Sequence, residues 1–234
     1  MEIERDAPWP PPGHAHTLAT TRWPAWGALW SGDCDELRAR MPALVRGGYW
    51  ARRAADEPGR GRDMHLPLAA DIARTSAELV AGDTPAVEWA DTTAQAVWDD
   101  IAQRLGWANC LLEAAEVAAA MGGVYLRPQW DLDVARHPLL TVVRPDEALP
   151  EFRFGWLRSV TFATTVEGDG RDVLRWLEHH EPGQIRHELW RGTPTSIGRP
   201  IPLTDHATTR HLTPVIDTAP ILRRRGLLVE YVPN

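Results

Sequence analysis

The chain has 234 residues, a formal net charge of −7 and no lysine, so all of its 25 basic residues are arginine. A negative net charge disfavours broad, nonspecific binding to a nucleic-acid backbone. No apolar run is long enough to span a bilayer, and the acidic, proline-rich N-terminus lacks a signal-peptide pattern. We therefore expect an intracellular protein without a membrane segment, and we attribute the arginine bias to a GC-rich genome.

The N-terminal part of the chain divides into an arm and a first helix. Residues 1–21 are rich in proline and polar side chains, which predicts a mobile arm or a segment draped over a neighbour. Trp23, Trp26 and Trp30 are spaced i, i+3, i+7, which places them on one face of a helix that begins near Pro24. Core packing and contact with another subunit explain this stripe equally well, because tryptophan is enriched in both environments.

Three further helices are predicted between residues 33 and 106. Asp33 with Glu36 resembles a capping box that opens a short helix over residues 35–41. A second helix begins at Pro67 and ends before Gly82, and a third lies between Asp91 or Thr92 and Gly106. The second helix has apolar spacing that places the following residues on one face: Leu68, Ile72, Ser76 and Leu79.

The periodicity changes from helical to alternating at residue 123. An alanine-rich helix over residues 111–121 ends at Gly122-Gly123, and a strand follows at once. Short turns at residues 168–170 and 181–183 predict neighbouring antiparallel strands, whereas residues 193–220 predict a looser segment. The predicted strands cover residues 124–127, 139–143, 156–167, 171–181, 184–191 and 227–232. The sequence thus predicts an α+β fold, with a helical part (22–122) packed on an antiparallel β-meander (123–234).

Twelve tryptophans are present, a high number for this length. Outside the first helix we expect the tryptophans of the strands to lie in the core, because an indole buries a large area and anchors strand pairs. The tryptophans on these later elements are Trp98, Trp107, Trp130, Trp156, Trp176 and Trp190.

Histidines provide the best argument for catalytic chemistry. His179 and His180 precede the turn at residues 181–183 and His187 follows it, so in paired strands His179 or His180 would face His187. Together with Glu181 or Glu188 they would form a set of metal ligands. A metal-dependent hydrolase that uses His179 and His187 is therefore one hypothesis. His14 and His16 have no nearby third ligand and indicate a solvated loop. The sequence contains no nucleophile elbow, phosphate-binding loop, zinc-protease motif or dinucleotide fingerprint, so we expect no enzyme and no cofactor.

Cysteine is rare in this chain. Cys34 and Cys110 are its two cysteines, and in an intracellular protein two reduced thiols are the expected state.

Three segments resemble one family. LPLAADIARTSAELVAGDTP, LLEAAEVAAAMGGVYLRPQWD and HPLLTVVRPDEALPEFRFGWLRSVTF occur in the same order as in portal proteins of tailed bacteriophages, and the terminal LLVEYVPN also fits. The resemblance is to the Gp6-like group found in phages and prophages of high-GC actinobacteria. It covers roughly residues 30–234 and matches the N-terminal, wing-forming part. Portals of this type continue into stem, clip and crown, so we expect this chain to lack those parts.

The resemblance implies a structural function. Portal subunits form a ring, a dodecamer in the full-length family, at one capsid vertex, and DNA passes through it during packaging and ejection. Terminase, head-completion, scaffold and major capsid proteins are the implied partners, and the implied location is the virion, with assembly in the host cytoplasm. Trp23, Trp26 and Trp30 are the candidate subunit-interface residues. A truncated prophage product without packaging activity is the alternative within this family.

Overall fold

The computed structural model describes residues 3–12, 22–33, 35–37, 67–131, 134–222 and 226–234. The fold is α+β, as the sequence predicts. The helices are α1 (Trp23–Ser31), α2 (Leu68–Ala81), α3 (Thr92–Leu105), α4 (Trp107–Met121) and α5 (Ala219–Leu222). The strands are β1 (Gly123–Gln129), β2 (Leu139–Val143), β3 (Ala148–Arg153), β4 (Trp156–Gly168), β5 (Val173–Glu181), β6 (Gln184–Thr193), β7 (Ser196–Ile201), β8 (Val215–Asp217) and β9 (Glu230–Pro233).

The strands form two antiparallel sheets. The smaller sheet has the order β2-β1-β9, and the larger one has the order β3-β4-β5-β6-β7, with β8 paired to β6. Sequential neighbours in the larger sheet make it a meander, which confirms the prediction from the turns at residues 168–170 and 181–183.

The smaller sheet lies between the helices and the meander. Alternation along β1 sends Val124 and Leu126 into a cluster with α4, whereas Tyr125 points the other way and packs edge-on against Phe162 of β4. The centroids of these two rings are 5.8 Å apart. The helices therefore pack on one face of the smaller sheet and the meander packs on its other face.

Local signals set the helix ends as predicted. The Asp91 carboxylate accepts a hydrogen bond from the Thr93 amide (2.8 Å) at the start of α3, and Gly106 ends that helix in the left-handed region. Gly122 ends α4 in the same conformation. The Asp33 carboxylate accepts from the amides of residues 35 and 36, and residues 35–37 are helical. The remainder of the predicted 35–41 helix lies outside the described residues.

Three strands correct the sequence prediction. The segment 193–220, predicted to be loose, contains β7 and β8, and β3 was not predicted at all. Both β3 and β7 are edge strands of the meander and contain a proline, Pro150 and Pro200. Proline is tolerated at a sheet edge because no neighbour needs its missing N–H, so both prolines fit the edge positions of these strands. The final strand, β9, is shorter than the predicted 227–232 strand and pairs with β1.

Part of the predicted N-terminal arm contacts the meander of its own chain. The Asp6 amide donates to the Gly198 carbonyl (2.7 Å), and the Trp9 amide donates to the Thr195 carbonyl (2.9 Å). Trp9 also packs beside the buried cluster that includes Trp190. Residues 3–12 therefore line β7, while residues 13–21 lie outside the described residues and mobility of the arm stays a prediction.

Candidate functional site

The tryptophan stripe of α1 packs mainly against α4. Trp23 Nε1 donates to the Met121 carbonyl (3.0 Å), and Trp30 Nε1 donates to Glu116 Oε1 (3.0 Å). Both indoles pack against the cluster around α4, whereas Trp26 is more than a third exposed. Two of the three candidate interface residues thus have intramolecular partners, and Trp26 has the largest free surface. Their contact with a second subunit stays a prediction.

Helix α2 buries small side chains and exposes large ones. Its buried residues are Ala73, Ala77 and Ala81, and the helix packs on α4. The apolar face picked out by sequence spacing is the opposite one, because Leu68, Ile72, Leu79 and Val80 are all more than 60% exposed. Alanine permits close helix–helix approach, so the large side chains are left on the outside. An exposed apolar face of this kind is typical of an interaction surface.

Helix α3 forms an open apolar groove with the segment that precedes it. The Gln95 side chain ties that segment to the helix, because its amide oxygen accepts from the Trp89 amide (2.7 Å) and its amide nitrogen donates to the Val87 carbonyl (3.2 Å). The groove has a volume of about 440 Å³. We call it the α3 groove; its lining residues are Trp89, Asp91, Thr93, Ala94, Val97, Trp98 and Ile101.

The β3–β4 hairpin ends in exposed aromatic residues. Arg153 pairs with Trp156 across a two-residue turn of Phe154 and Gly155, which both have positive φ (53° and 80°). Phe154 is 89% exposed and Trp156 is 80% exposed. We call residues 153–156 the aromatic tip. On the inner side of the hairpin, Phe152 packs edge-on against Tyr231 of β9, with ring centroids 5.5 Å apart, which holds the hairpin on the smaller sheet.

The expectation that strand tryptophans lie in the core is only partly correct. Trp190 is buried, but Trp156 is exposed, as is Trp130 directly after β1. Sequence patterns therefore do not identify the aromatic tip, because they place Trp156 in the core. The signal that identifies it is a Phe-Gly pair between two strands, at the positions where a tight hairpin turn favours Asn-Gly.

The sheet register separates the two histidines of the hydrolase hypothesis. Glu178 of β5 is opposite His187 of β6, and His179 is opposite Arg186. Because side chains alternate along a strand, His179 faces one side of the meander and His187 the other. They cannot act as ligands of one metal ion in this fold. Among the residues that the structure describes, no group of three or more His, Cys, Asp or Glu side chains could hold a metal ion.

His179 lies on the face of the meander that residues 3–12 partly cover. Its Nδ1 is 2.9 Å from Thr161 Oγ1, and its Nε2 is 3.3 Å from Glu188 Oε2. Burial, together with the positive charge of Arg186, lowers the pKa of His179 to about 3. The imidazole is therefore neutral at physiological pH.

A charged cluster on the other face is buried between the two sheets. Glu178 contacts both His180 Nε2 and Arg127, whose Nη1 lies 3.5 Å from Glu178 Oε2. The Arg127 guanidinium also stacks over the Phe162 ring at 5.0 Å. Burial acts to raise the pKa of Glu178, but the His180 hydrogen bond and the Arg127 charge outweigh it and leave the pKa below its usual value. The cluster links β1 to β5, and Arg127 and His180 together stabilise the buried Glu178 carboxylate.

The remaining candidate residues add no site. Cys110 is a buried free cysteine of α4, and burial raises the pKa of its thiol, which is the environment of an unreactive cysteine. Cys34, His14 and His16 lie outside the described residues.

No protein-family model matches the chain, and no curated protein matches it significantly. In the part of the chain that the structure describes, no helix is both long and apolar enough to cross a membrane.

Proposed function

We propose that this chain is the N-terminal, wing-region part of a phage portal protein. In this role it supplies subunit contacts to the ring at the capsid vertex through which DNA is packaged and ejected. The single observation that carries the proposal is the exposure of large apolar side chains on α2 above a buried alanine face. Such a face is a liability for a monomer and becomes useful when a neighbour covers it.

Two further observations support the structural role. The portal-like segments include β1 and β2 of the smaller sheet, α4 on one face of that sheet with α2 packed on it, and the hairpin of β3 and β4 on the other face. His179 and His187, the two residues named for the hydrolase, face opposite sides of the meander, whereas His180 shares a face with His187 and contacts Glu178. The proposal includes no catalytic residue and no cofactor.

The proposed partners follow from the same resemblance. Copies of the chain associate in a ring, which is a dodecamer in the full-length family, and the ring meets terminase, head-completion, scaffold and major capsid proteins. The proposed location is the virion, with assembly in the host cytoplasm.

The test is the solution mass of the purified chain by light scattering, with negative-stain images of the same sample. Closed rings are the expected result. A Leu79→Glu variant should lower the oligomer mass, because it places a charge on the exposed α2 face. Gln103→Glu on exposed α3 surface adds the same charge elsewhere and should leave the mass unchanged.

A monodisperse monomer at every concentration would contradict the proposal for the isolated chain. The truncated prophage product would then be the better description.

A further inference from the structure

The aromatic tip contains a backbone conformation that its sequence does not favour. Two-residue hairpin turns with positive φ at both positions prefer Asn-Gly or Asp-Gly, because small polar residues and glycine adopt that region at low cost. Here Phe154 has a φ of 53° and is followed by Gly155. A bulky residue at positive φ is an outlier that persists only where the surrounding structure holds it, and such outliers cluster at functional sites. The 89% exposed ring makes no core contact that would explain its presence.

The tip is built as a rigid projection. Arg153 and Trp156 are cross-strand partners at the end of the hairpin. The Arg153 guanidinium lies over the Phe154 ring, 5.3 Å from the ring centroid. Because Phe152 is held against Tyr231, the hairpin presents two large aromatic side chains from a fixed base. Rigid, exposed aromatic residues lose little conformational entropy on binding and are frequent anchors of interfaces.

The α3 groove offers a matching receptor on the same chain. It is an open groove of about 440 Å³, and its apolar lining includes Trp89, Val97, Trp98 and Ile101. Helix α3 has no buried residue, and its Val97 side chain is more than half exposed. Trp89, which lies just before the helix, is also more than half exposed. The helix therefore has an apolar side that the described residues of its own chain leave partly exposed.

The charges of the two surfaces are complementary. Among the residues that line the groove, Asp91 is acidic and none is basic. The tip, residues 153–156, includes Arg153 and no acidic residue. Arg158 already pairs with Glu151 of the neighbouring strand (3.2 Å), which leaves Arg153 at the tip facing outward beside the aromatic rings. Opposite charges at the rim favour this pairing over contact of two like surfaces.

We propose that the aromatic tip of one copy docks in the α3 groove of a second copy. This inference rests on the proposed ring and names one of its contacts. Because the tip and the groove are different surfaces, the contact is head to tail, and each copy can use both surfaces at once. Such a contact closes into a ring if the rotation permits, and otherwise continues as a filament.

A mixing experiment with two variants tests the contact. The tip variant combines Phe154→Asn with Trp156→Thr, and the groove variant is Val97→Glu. Each variant alone should be a monomer in sedimentation velocity at a concentration where the wild type associates. An equimolar mixture should form a dimer, because one intact tip then meets one intact groove. Val134→Glu, the same change at an exposed valine outside both surfaces, should associate like the wild type.

The outcomes separate this contact from the ring itself. If wild-type rings form but the mixed variants stay monomeric, the contact is wrong and the proposed function stands. If the mixture gives the dimer but the wild type forms open filaments, the contact stands and the closed ring fails. A wild type that never associates overturns the contact. All four substituted side chains are at least half exposed, so each variant should keep the wild-type circular dichroism.

A lipid surface is the competing partner for an exposed aromatic hairpin. Flotation of the wild type with neutral phosphatidylcholine vesicles should recover no protein. Vesicle binding that the tip variant loses and the groove variant keeps would overturn docking on a second copy.

Discussion

Replacing Phe154 by asparagine should raise the free energy of unfolding of the monomer by about 1 kcal/mol. A non-glycine residue held at positive φ costs on the order of 1–3 kcal/mol, and asparagine reduces that cost because it is enriched in this region. The ring is 89% exposed, so its removal sacrifices little burial. The stacking with the Arg153 guanidinium at 5.3 Å is lost, which costs roughly 0.5 kcal/mol at an exposed site.

Differential scanning calorimetry at a concentration where the wild type is monomeric measures this effect. A gain of about 1 kcal/mol corresponds to a rise of roughly 2–4 °C in Tm for a domain of this size. Phe154→Ala is the matched control: it removes the same ring without the turn preference of asparagine, so its Tm should not rise. An unchanged or lower Tm for Phe154→Asn would refute the view that the tip contains backbone strain. A higher Tm together with weaker association would show that stability and assembly favour different residues here.

Three further predictions concern the interior. His179 has a pKa of about 3 in the folded protein, whereas an unfolded histidine has a pKa of about 6.5. Between these two pH values only the unfolded chain binds the proton, so the free energy of unfolding should fall by about 2 kcal/mol at pH 5. Urea unfolding at pH 7 and 5 should show a smaller loss for His179→Gln, and an equal loss would exclude this residue as the cause. Ala77→Leu should lower the free energy of unfolding by roughly 1–3 kcal/mol, because it overpacks the α2–α4 contact. Leu79→Glu should keep the monomer's free energy of unfolding within about 0.5 kcal/mol of the wild-type value. Equal effects of the two substitutions would contradict the assignment of the buried and exposed faces of α2. Arg127→Met should cost about 3–5 kcal/mol in the same assay by leaving the Glu178 carboxylate buried without its cation, and a neutral result would mean that water reaches the carboxylate.

The sequence by itself determined where most helices and hairpins end. Asp91 caps α3, and Gly106 and Gly122 end α3 and α4, because a cap is formed by residues within a few positions of one another. The turns at residues 168–170 and 181–183 set the meander for the same reason, since a hairpin pairs adjacent segments. The α+β class follows from the change of periodicity at residue 123.

Only the tertiary structure decided which strands lie at the edges and which faces are buried. Pro150 and Pro200 argue against strands until the sheet order places them in edge strands, where no neighbour needs their missing N–H. Residue spacing identifies the two faces of α2 but not which of them is buried. The alanine face is the buried one, because small side chains allow a neighbouring helix to approach closely. His179 and His187 looked like partners until register placed them on opposite faces. Burial and register depend on segments far apart in the chain, so local patterns do not determine them.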